Sequence, residues 1–328
     1  MIEQAIQKRI LILDGAMGTM IQNYNLSEED YRGERFKDFH VSLKGNNDLL
    51  SITQPKVIQE IHEAYLEAGA DIIETNTFNS NAISMLDYDQ TNLVYELNYE
   101  SVQIAKRAIQ KYSDSVKPRY VAGSIGPTNK TASLSPHVEN PAFREVSFHD
   151  LARIYKEQAI ALLEGGVDVI LVETVFDTLN AKACFFGIED AFDQVGKKVP
   201  LMVSGTITDA SGRTLSGQTA EAFLISLQHI DLLSVGLNCA LGAEALTPYV
   251  KVISEKSGFY TSAHPNAGLP NAFGQYDETP EMMVNQVKRF LKNGWLNIIG
   301  GCCGTTPKHI KAIAEEAKKY QPRQLIVS

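Results

Sequence analysis

The sequence predicts an α/β fold, a single (β/α)₈ barrel of the TIM type. Eight short apolar runs rich in Val, Ile and Leu alternate with longer amphipathic stretches along the 328 residues. This pattern is typical of parallel strands that are buried on both faces and joined by helices. Because a chain of this length can form one large core, we assign residues 1–320 to the barrel and residues 321–328 to a C-terminal tail or linker.

The alternation also gives the order and the bounds of the predicted elements. Several of the helices begin with Pro or with a capping Ser, Thr or Asp. The predicted strands are Ile10–Leu13, Asp71–Thr75, Tyr120–Ser124, Asp168–Glu173, Leu201–Ser204, Leu233–Leu237, Phe259–Ala263 and Leu296–Ile299. The predicted helices are Lys56–Glu67, Leu93–Lys111, Asp150–Glu164, Leu179–Val195, Thr219–Gln228, Ala243–Glu255, Pro280–Lys292 and Pro307–Lys319.

A doubly wound sheet also alternates strands and helices, so the two architectures must be separated. That fold usually carries a glycine-rich phosphate-binding turn after its first strand. Here the first strand is followed by Asp-Gly-Ala-Met-Gly-Thr at 14–19, which lacks the G-x-G-x-x-G spacing. The barrel is therefore the favoured architecture.

The composition limits the class of partner. The formal net charge is -9 and the sequence pI is ≈ 5.3, whereas binding to a nucleic-acid backbone needs clustered Lys and Arg. No window approaches the roughly 18 apolar residues of a membrane span, and the N-terminal residues do not resemble a secretory signal. We therefore expect a cytoplasmic protein with neither nucleic acid nor a membrane as its partner.

The segment Tyr24–Asn47 is polar, charged and poorly periodic. We expect it to form a long loop over the top of the barrel after the first strand. Long loops in compact domains are often functional, and our hypothesis is that this one closes over a bound substrate.

Three of the four cysteines follow predicted strands. Cys239 ends the sixth strand, and Cys302 and Cys303 end the eighth, whereas Cys184 falls in a predicted helix and is expected to pack in the core. Active sites of such barrels form at the carboxyl ends of the strands, and three thiolates suit Zn²⁺ with a fourth position open to water or substrate. The alternatives are ordinary core packing of the cysteines and a closed zinc site with His264 as the fourth ligand.

Two carboxylates also stand at strand ends. Asp14 follows the first strand and Glu173 ends the fourth, so both could face a ligand whose amino group would satisfy them. The alternative is that Asp14 only makes the turn before Gly15 and that Glu173 pairs with a basic residue. Glu74 and Asn76 have the same two alternatives, a role in the site or an ordinary position in a loop.

Four motifs near the predicted strand ends are distinctive. They are Asp-Gly-Ala-Met-Gly-Thr at 14–19, Gly-Thr-Ile-Thr-Asp at 205–209, Gly-Leu-Asn-Cys at 236–239 and Gly-Gly-Cys-Cys-Gly-Thr-Thr-Pro at 300–307. They resemble the homocysteine-binding domain of the homocysteine S-methyltransferase family, and the resemblance extends from about residue 8 to residue 323. Within that family, segments at 44–49, 74–79, 176–182 and 263–268 are similar to the N-terminal module of cobalamin-dependent methionine synthases.

This resemblance implies a metal centre. Cys239, Cys302 and Cys303 would be the catalytic zinc ligands, with the thiolate of homocysteine as the fourth ligand, and Asn266 would be a resting-state ligand that the substrate displaces. Only a minority of a free thiol is thiolate at neutral pH, and the thiolate is the nucleophile. Coordination to zinc removes the thiol proton when the substrate binds.

The resemblance also implies a substrate and a methyl donor. Asp14, the backbone around Gly15 and Ala16, and Glu173 would bind the amino-acid end of homocysteine. The expected reaction transfers a methyl group to the homocysteine thiolate and gives methionine. The sequence contains no D-x-H-x-x-G segment for carrying cobalamin, so methylcobalamin is expected to be supplied by a separate domain or subunit.

Other donors and roles are compatible with the same motifs. A homocysteine methyltransferase that uses betaine or S-methylmethionine is the main alternative within the enzyme class. A non-catalytic subunit that binds homocysteine or zinc is the alternative outside the enzyme class. Barrel enzymes of the aldolase type are disfavoured, because they require a Lys at a strand end and none of the eight predicted strands ends in Lys.

Overall fold

The computed structural model describes residues 2–209 and 211–325. Its strands are β1 (Leu11–Ile12), β2 (Ile72–Glu74), β3 (Tyr120–Ile125), β4 (Val169–Val175), β5 (Leu201–Gly205), β6 (Ser234–Gly242), β7 (Tyr260–Asn266) and β8 (Ile298–Ile299). All neighbouring strands are parallel, and their order is β1-β8-β7-β6-β5-β4-β3-β2. Each predicted strand is present, and β4, β6 and β7 continue further at their carboxyl ends than predicted.

The sheet closes on itself between β1 and β2. Leu13 forms a parallel bridge with Ile72. The backbone N–H of Asp71 donates to the Ile12 carbonyl at 2.7 Å, and that of Asp14 donates to the Ile72 carbonyl at 3.0 Å. Eight parallel strands with helices between them form a (β/α)₈ barrel, so the predicted fold class is confirmed.

The helices include all eight that the sequence predicts, with ends that agree to within two residues. Among the described residues no helix is long and apolar enough to cross a membrane. In chain order the helices are α1 (Ile2–Lys8), α2 (Met17–Gln22), α3 (Glu28–Arg32), α4 (Leu50–Thr53), α5 (Pro55–Glu67), α6 (Ala82–Leu86), α7 (Val94–Gln110), α8 (Phe148–Gly165), α9 (Thr178–Val195), α10 (Ala220–Leu227), α11 (Ala243–Lys256), α12 (Pro280–Lys292) and α13 (Pro307–Ala317).

The first helix, α1, packs against the interior of the barrel and was not predicted from the sequence. Ile2 and Ile6 lie four residues apart, so they share one face of the helix. Both are buried and belong to the cluster of inward-facing strand residues that includes Leu11 and Ile298. The lower part of the barrel is therefore a filled core, which leaves the upper end for a site.

The segment Tyr24–Asn47, which we expected to be a long loop, contains a helix and core contacts. Ser27 begins α3 with a capping box, and Tyr31 and Leu43 are buried. The Glu28 carboxylate accepts a hydrogen bond from the Leu43 N–H at 2.8 Å. These local bonds explain why a polar, poorly periodic segment still folds. Its closure over a substrate stays a prediction.

The predicted tail at 321–328 lies partly outside the described residues, which end at 325. Within the described part, Arg323 is buried. Its guanidinium donates hydrogen bonds to the carbonyls of Ser254, Ser257 and Phe259. This part of the chain therefore packs on the barrel.

Candidate active site

Two strands are irregular where they reach the top of the barrel. The pairing of β4 with β5 shifts register after Val172, and that of β6 with β7 shifts after Asn238. Thr174 in β4 has φ +56° and Cys239 in β6 has φ +58°. Non-glycine residues rarely adopt this conformation, and it is concentrated at functional sites. The bulges turn these two residues away from the regular strand direction.

The Asn238 amide connects the two irregular strand ends. Its Oδ1 accepts hydrogen bonds from the Thr174 N–H at 2.9 Å and from the Ser204 hydroxyl at 2.6 Å. Its Nδ2 donates to Thr174 Oγ1 at 2.8 Å and lies 3.8 Å from Cys302 Sγ. A buried amide with this many partners holds one rotamer. It therefore fixes Thr174 and the neighbouring Cys239 in position.

Cys302 and Cys303 lie in a tight turn that follows β8. The Cys302 N–H donates to the Pro265 carbonyl at 2.9 Å, which attaches the turn to β7. Gly304 has φ +79°, and a Cβ at this position would lie 2.3 Å from Tyr276. Only glycine meets both conditions, which explains the glycine that follows the cysteine pair.

The structure brings the sulfurs of Cys239, Cys302 and Cys303 together. All three lie within 4.8 Å of one another, and the Sγ atoms of Cys239 and Cys303 are 3.6 Å apart. Tetrahedral zinc with Zn–S bonds of ~2.3 Å needs sulfurs that are about 3.8 Å apart. Hydrogen bonds from Cys239 and Cys302 lower the pKa of Cys303 to about 3. The pKa values of Cys239 and Cys302 are raised, that of Cys302 by its hydrogen bonds with Cys239 and Cys303. The spacing and the soft sulfur ligands fit a soft divalent cation, so the cluster could hold zinc.

The other candidate ligands have different surroundings. Among the described residues, His264 is not one of the side chains whose ligand atoms lie close enough to share one metal ion with the cysteines. The closed four-ligand site with His264 is therefore not supported. Asn266 is buried at the end of β7 with an unpartnered Oδ1, and its role as a displaceable ligand stays a prediction. Cys184 is buried in α9, so its predicted core packing is confirmed.

The three sulfurs line a cavity of about 490 Å³ at the top of the barrel. The predicted substrate residues Asp14, Gly15, Ala16 and Glu173 line the same cavity. A Cβ on Gly15 would lie 2.7 Å from the Thr305 hydroxyl, so a larger residue would not fit. The expected site residues from four separate parts of the sequence therefore meet at one space. Its lining also includes Glu74, Asn76, His264 and Tyr276.

Tyr276 is a cavity residue that the sequence reasoning missed. It lies in the loop between β7 and α12 and contacts the turn that carries Cys303. The loop folds back through an antiparallel bridge between Pro270 and Tyr276. Since Tyr276 stands ten residues beyond the end of β7, the position of a strand end could not have indicated it.

Three carboxylates share the cavity without a cationic partner. Asp14 Oδ2 accepts a hydrogen bond from the Glu74 N–H at 3.1 Å, while Asp14 Oδ1 is buried and has none. Glu173 accepts a hydrogen bond from the Ser124 hydroxyl at 2.5 Å. Burial raises the pKa of all three carboxyl groups, and repulsion raises those of Asp14 and Glu74 further. The side chains of Glu74 and Glu173 also hydrogen-bond each other, which raises the pKa of Glu74.

The surroundings of these carboxylates decide one of the open alternatives. Within residues 2–209 and 211–325, no Lys, Arg or His nitrogen lies within 4.0 Å of Asp14, Glu74 or Glu173. The alternative in which Glu173 pairs with a basic residue is therefore wrong. Uncompensated buried carboxylates form an environment that attracts a cation.

Comparisons with solved structures agree with this architecture. The metallated form of the homocysteine methyltransferase MmuM from Escherichia coli is 21% identical, with a TM-score of 0.73, and the match covers 95% of this chain and 98% of that chain. Its oxidized form is 20% identical, with a TM-score of 0.72, over 93% and 95% of the two chains. Its apo form is 20% identical, with a TM-score of 0.67, over 94% and 97%. At these identities the likeness supports the fold.

The family assignment comes from the sequence as a whole. The sequence profile described as Homocysteine S-methyltransferase matches residues 11–317. The match includes every strand from β1 to β8, and with them all three cysteines of the cluster. The chain belongs to the homocysteine S-methyltransferase family.

Proposed function

We propose that this protein transfers a methyl group to the thiolate of homocysteine and releases methionine. The single observation that carries the proposal is the pairing of two unlike groups in one cavity, three clustered sulfurs and three uncompensated carboxylates. Homocysteine is complementary to both, since it has a thiol at one end and an ammonium group at the other. The family membership supports the same substrate.

Cys239, Cys302 and Cys303 would hold a zinc ion in this proposal. When bound, zinc supplies a coordination position for the substrate sulfur and lowers the pKa of its thiol, so that a thiolate is available at neutral pH. The chain itself orients the ligand set, because Asn238 fixes Cys239 through Thr174. No general base is needed at the transfer step, because the thiol proton leaves when the substrate binds.

The carboxylates would hold the other end of the substrate. The free Oδ1 of Asp14 and the carboxylate of Glu173 can each accept a hydrogen bond from the α-ammonium group, and such charge-assisted bonds are strong. The backbone around Gly15 and Ala16 lines the same part of the barrel top and would contact the amino-acid portion. Binding both ends fixes the direction in which the sulfur points, which lowers the entropic part of the barrier.

We propose methylcobalamin, carried by a partner domain or subunit, as the methyl donor. The support is the similarity of the segments at 44–49, 74–79, 176–182 and 263–268 to the N-terminal module of cobalamin-dependent methionine synthases. The cavity is also larger than homocysteine alone requires, so a second reactant could approach the sulfur. The cytoplasmic location expected from the sequence remains part of this proposal.

The first experiment measures the metal content together with the donor preference. We expect about one zinc per chain and methylation of homocysteine by methylcobalamin. Transfer only from betaine or S-methylmethionine would show that this compound, and not methylcobalamin, is the methyl donor. Binding of homocysteine with no transfer from any of the three donors would indicate a non-catalytic subunit. Absence of zinc would indicate that the three cysteines are ordinary core residues.

Two cysteine variants test the metal ligands directly. Cys302→Ala is expected to lower zinc affinity by at least roughly 100-fold and to abolish transfer while keeping the fold. Cys184→Ala, a buried cysteine outside the cavity, is the matched control and should retain zinc and activity. Calorimetry in buffers of different ionisation enthalpy should also show release of about one proton when homocysteine binds the zinc protein. Unaltered activity of Cys302→Ala would contradict the site.

A further inference from the structure

Each sulfur of the cysteine cluster has a hydrogen-bond donor of its own in the chain. Asn238 Nδ2 lies 3.8 Å from Cys302 Sγ, and the phenol of Tyr276 hydrogen-bonds the Cys303 sulfur. The sulfur of Cys239 is hydrogen-bonded to the backbone N–H of the next residue. A metal-bound thiolate carries no proton, so in the metal-loaded site the chain donates each of these bonds and the sulfur accepts it.

The contact between Tyr276 and Cys303 is fixed by the backbone around it. The Ala267 N–H donates to the Cys303 carbonyl at 2.9 Å, and the Glu278 N–H donates to the Ala267 carbonyl at 3.4 Å. Tyr276 stands two residues before Glu278, and its ring occupies the space that a Cβ on Gly304 would need. The loop between β7 and α12 is therefore attached to the cysteine turn at its base and holds the phenol beside one sulfur.

Four thiolates would surround one metal ion in the proposed function, three from the protein and one from homocysteine. A thiolate lone pair attacks the methyl carbon, the electron pair of the old bond stays with the donor, and the thiolate becomes a neutral thioether. Zinc sites use thiolate ligands, so methylation of a protein sulfur would damage the site. The enzyme therefore has to direct the methyl group to one sulfur out of four.

Hydrogen bonds distinguish the protein sulfurs from an added one. A hydrogen bond to an ionised group is strong, and the nucleophilicity of a thiolate falls as its basicity falls. The Asn238 amide donates one N–H to Thr174 Oγ1 and has the other for Cys302, and the single O–H of Tyr276 is used by Cys303. These donors are already occupied when a fourth sulfur arrives, so that sulfur keeps the highest nucleophilicity.

We propose that Tyr276 donates its O–H to the Cys303 thiolate and thereby protects this sulfur from methylation, so that the methyl group goes to the substrate. The inference rests on the proposed function and deepens it, because it names a residue that decides which sulfur reacts. Tyr276 acts through Cys303 and is therefore a positioning residue.

The test compares the alkylation of the protein in the wild type and in Tyr276→Phe, which loses only the O–H. Both proteins are loaded with zinc, saturated with homocysteine and treated with methyl iodide, and methylated cysteines are located by peptide mass mapping. Loss of a hydrogen bond to a charged group should make methylation of Cys303 roughly 10-fold faster. Tyr260→Phe is the matched control, since it removes the same group from a half-buried tyrosine at the lower end of β7.

A spectroscopic readout separates this role from a structural one. With Co²⁺ in place of zinc, the sulfur-to-cobalt charge-transfer band should lie at lower energy in Tyr276→Phe, because the hydrogen bond stabilises the sulfur electrons. The variant should still bind about one zinc per chain. An unshifted band, or a variant that loses its zinc before methyl iodide is added, would overturn the proposal.

The outcomes also separate this inference from the proposed function. Methyl iodide replaces the natural donor, so the result is informative even if methylcobalamin does not support transfer. A wild type that binds zinc and homocysteine, but whose Cys303 is methylated as fast as in Tyr276→Phe, would refute only the role of Tyr276. A wild type that binds no zinc would refute both.

Discussion

The two ends of the barrel differ in whether their carboxylates have cationic partners. At the lower end, Asp71 is fully buried and accepts hydrogen bonds from the guanidinium groups of Arg9 and Arg119 and from the Ile12 N–H. The ammonium group of Lys117 lies 3.8 Å away. At the upper end, three carboxylates share a cavity and lie near no cation of the described chain.

This difference separates charge that maintains the fold from charge that awaits a ligand. The Asp71 cluster joins the end of α1 to β2 and β3, because Arg9 follows α1 and Arg119 precedes β3. A buried charge is tolerable when it is paired and hydrogen-bonded. At the upper end Asp14 and Glu173 are buried and Glu74 is partly buried, all without a cationic partner, so a cation from outside the chain would stabilise their ionised forms. The same residue type therefore has different roles at the two ends.

The largest expected effect is the loss of stability in Asp71→Asn. The substitution keeps the shape of the side chain and leaves the Arg119 side chain, which is 8% exposed, without its charge partner. Breaking a buried ion pair in this way costs about 3 to 5 kcal/mol of unfolding free energy. Chemical denaturation should therefore show a much lower midpoint, while the homocysteine dissociation constant of the folded protein stays close to that of the wild type.

The matching change at the upper end, Asp14→Asn, should affect binding and spare stability. Loss of a charge-assisted hydrogen bond to the substrate ammonium group should cost about 1.5 to 3 kcal/mol of binding free energy. Removing a like charge beside Glu74 and Glu173 should leave the denaturation midpoint equal or higher. Calorimetry and denaturation on the same preparation check both points. If Asp14→Asn is as unstable as Asp71→Asn, then Asp14 serves the turn before Gly15 and the contrast between the ends disappears.

Most of the fold could be predicted because it follows from local periodicity. The strands are short and apolar, the main helices have one apolar face, and eight repeats of this alternation lead to a closed barrel. The convergence of Cys239 with Cys302 and Cys303 was accessible for the same reason, since the carboxyl ends of all strands meet at one end. The barrel topology therefore predicts that these cysteines lie close together, although they are far apart in the sequence.

The contrast between the two ends could not be predicted, because it depends on distant partners. Asp71 and Asp14 look alike in the sequence, since each flanks an apolar run. The arginines that bind Asp71 lie 62 and 48 residues away along the chain. The decisive property of Glu74 is the lack of such a partner, which no local pattern encodes. The helix α1 was missed because seven residues with two isoleucines are too short to establish a period.

A smaller effect should appear in the pH dependence of stability. The folded-state pKa of Glu74 is raised above its ordinary value of 4.5 by burial and by the charges of Glu173 and Asp14. Between the ordinary and the raised pKa, the folded protein binds more protons than the unfolded chain, so this group makes unfolding easier as pH rises. Glu74→Gln lacks this contribution, and its stability advantage over the wild type should therefore grow above pH 5 and then level off.

The comparison has to be a difference between the two proteins, because His62 and His264 act in the opposite direction. Burial lowers their pKa values to about 4 and about 3, so they make the folded state less stable as pH falls. Both histidines are present in both proteins, so their contributions to stability cancel in the difference. A difference that stays constant with pH in the unliganded proteins would mean that Glu74 is already neutralised by a group of the chain, and the upper end would resemble the lower one.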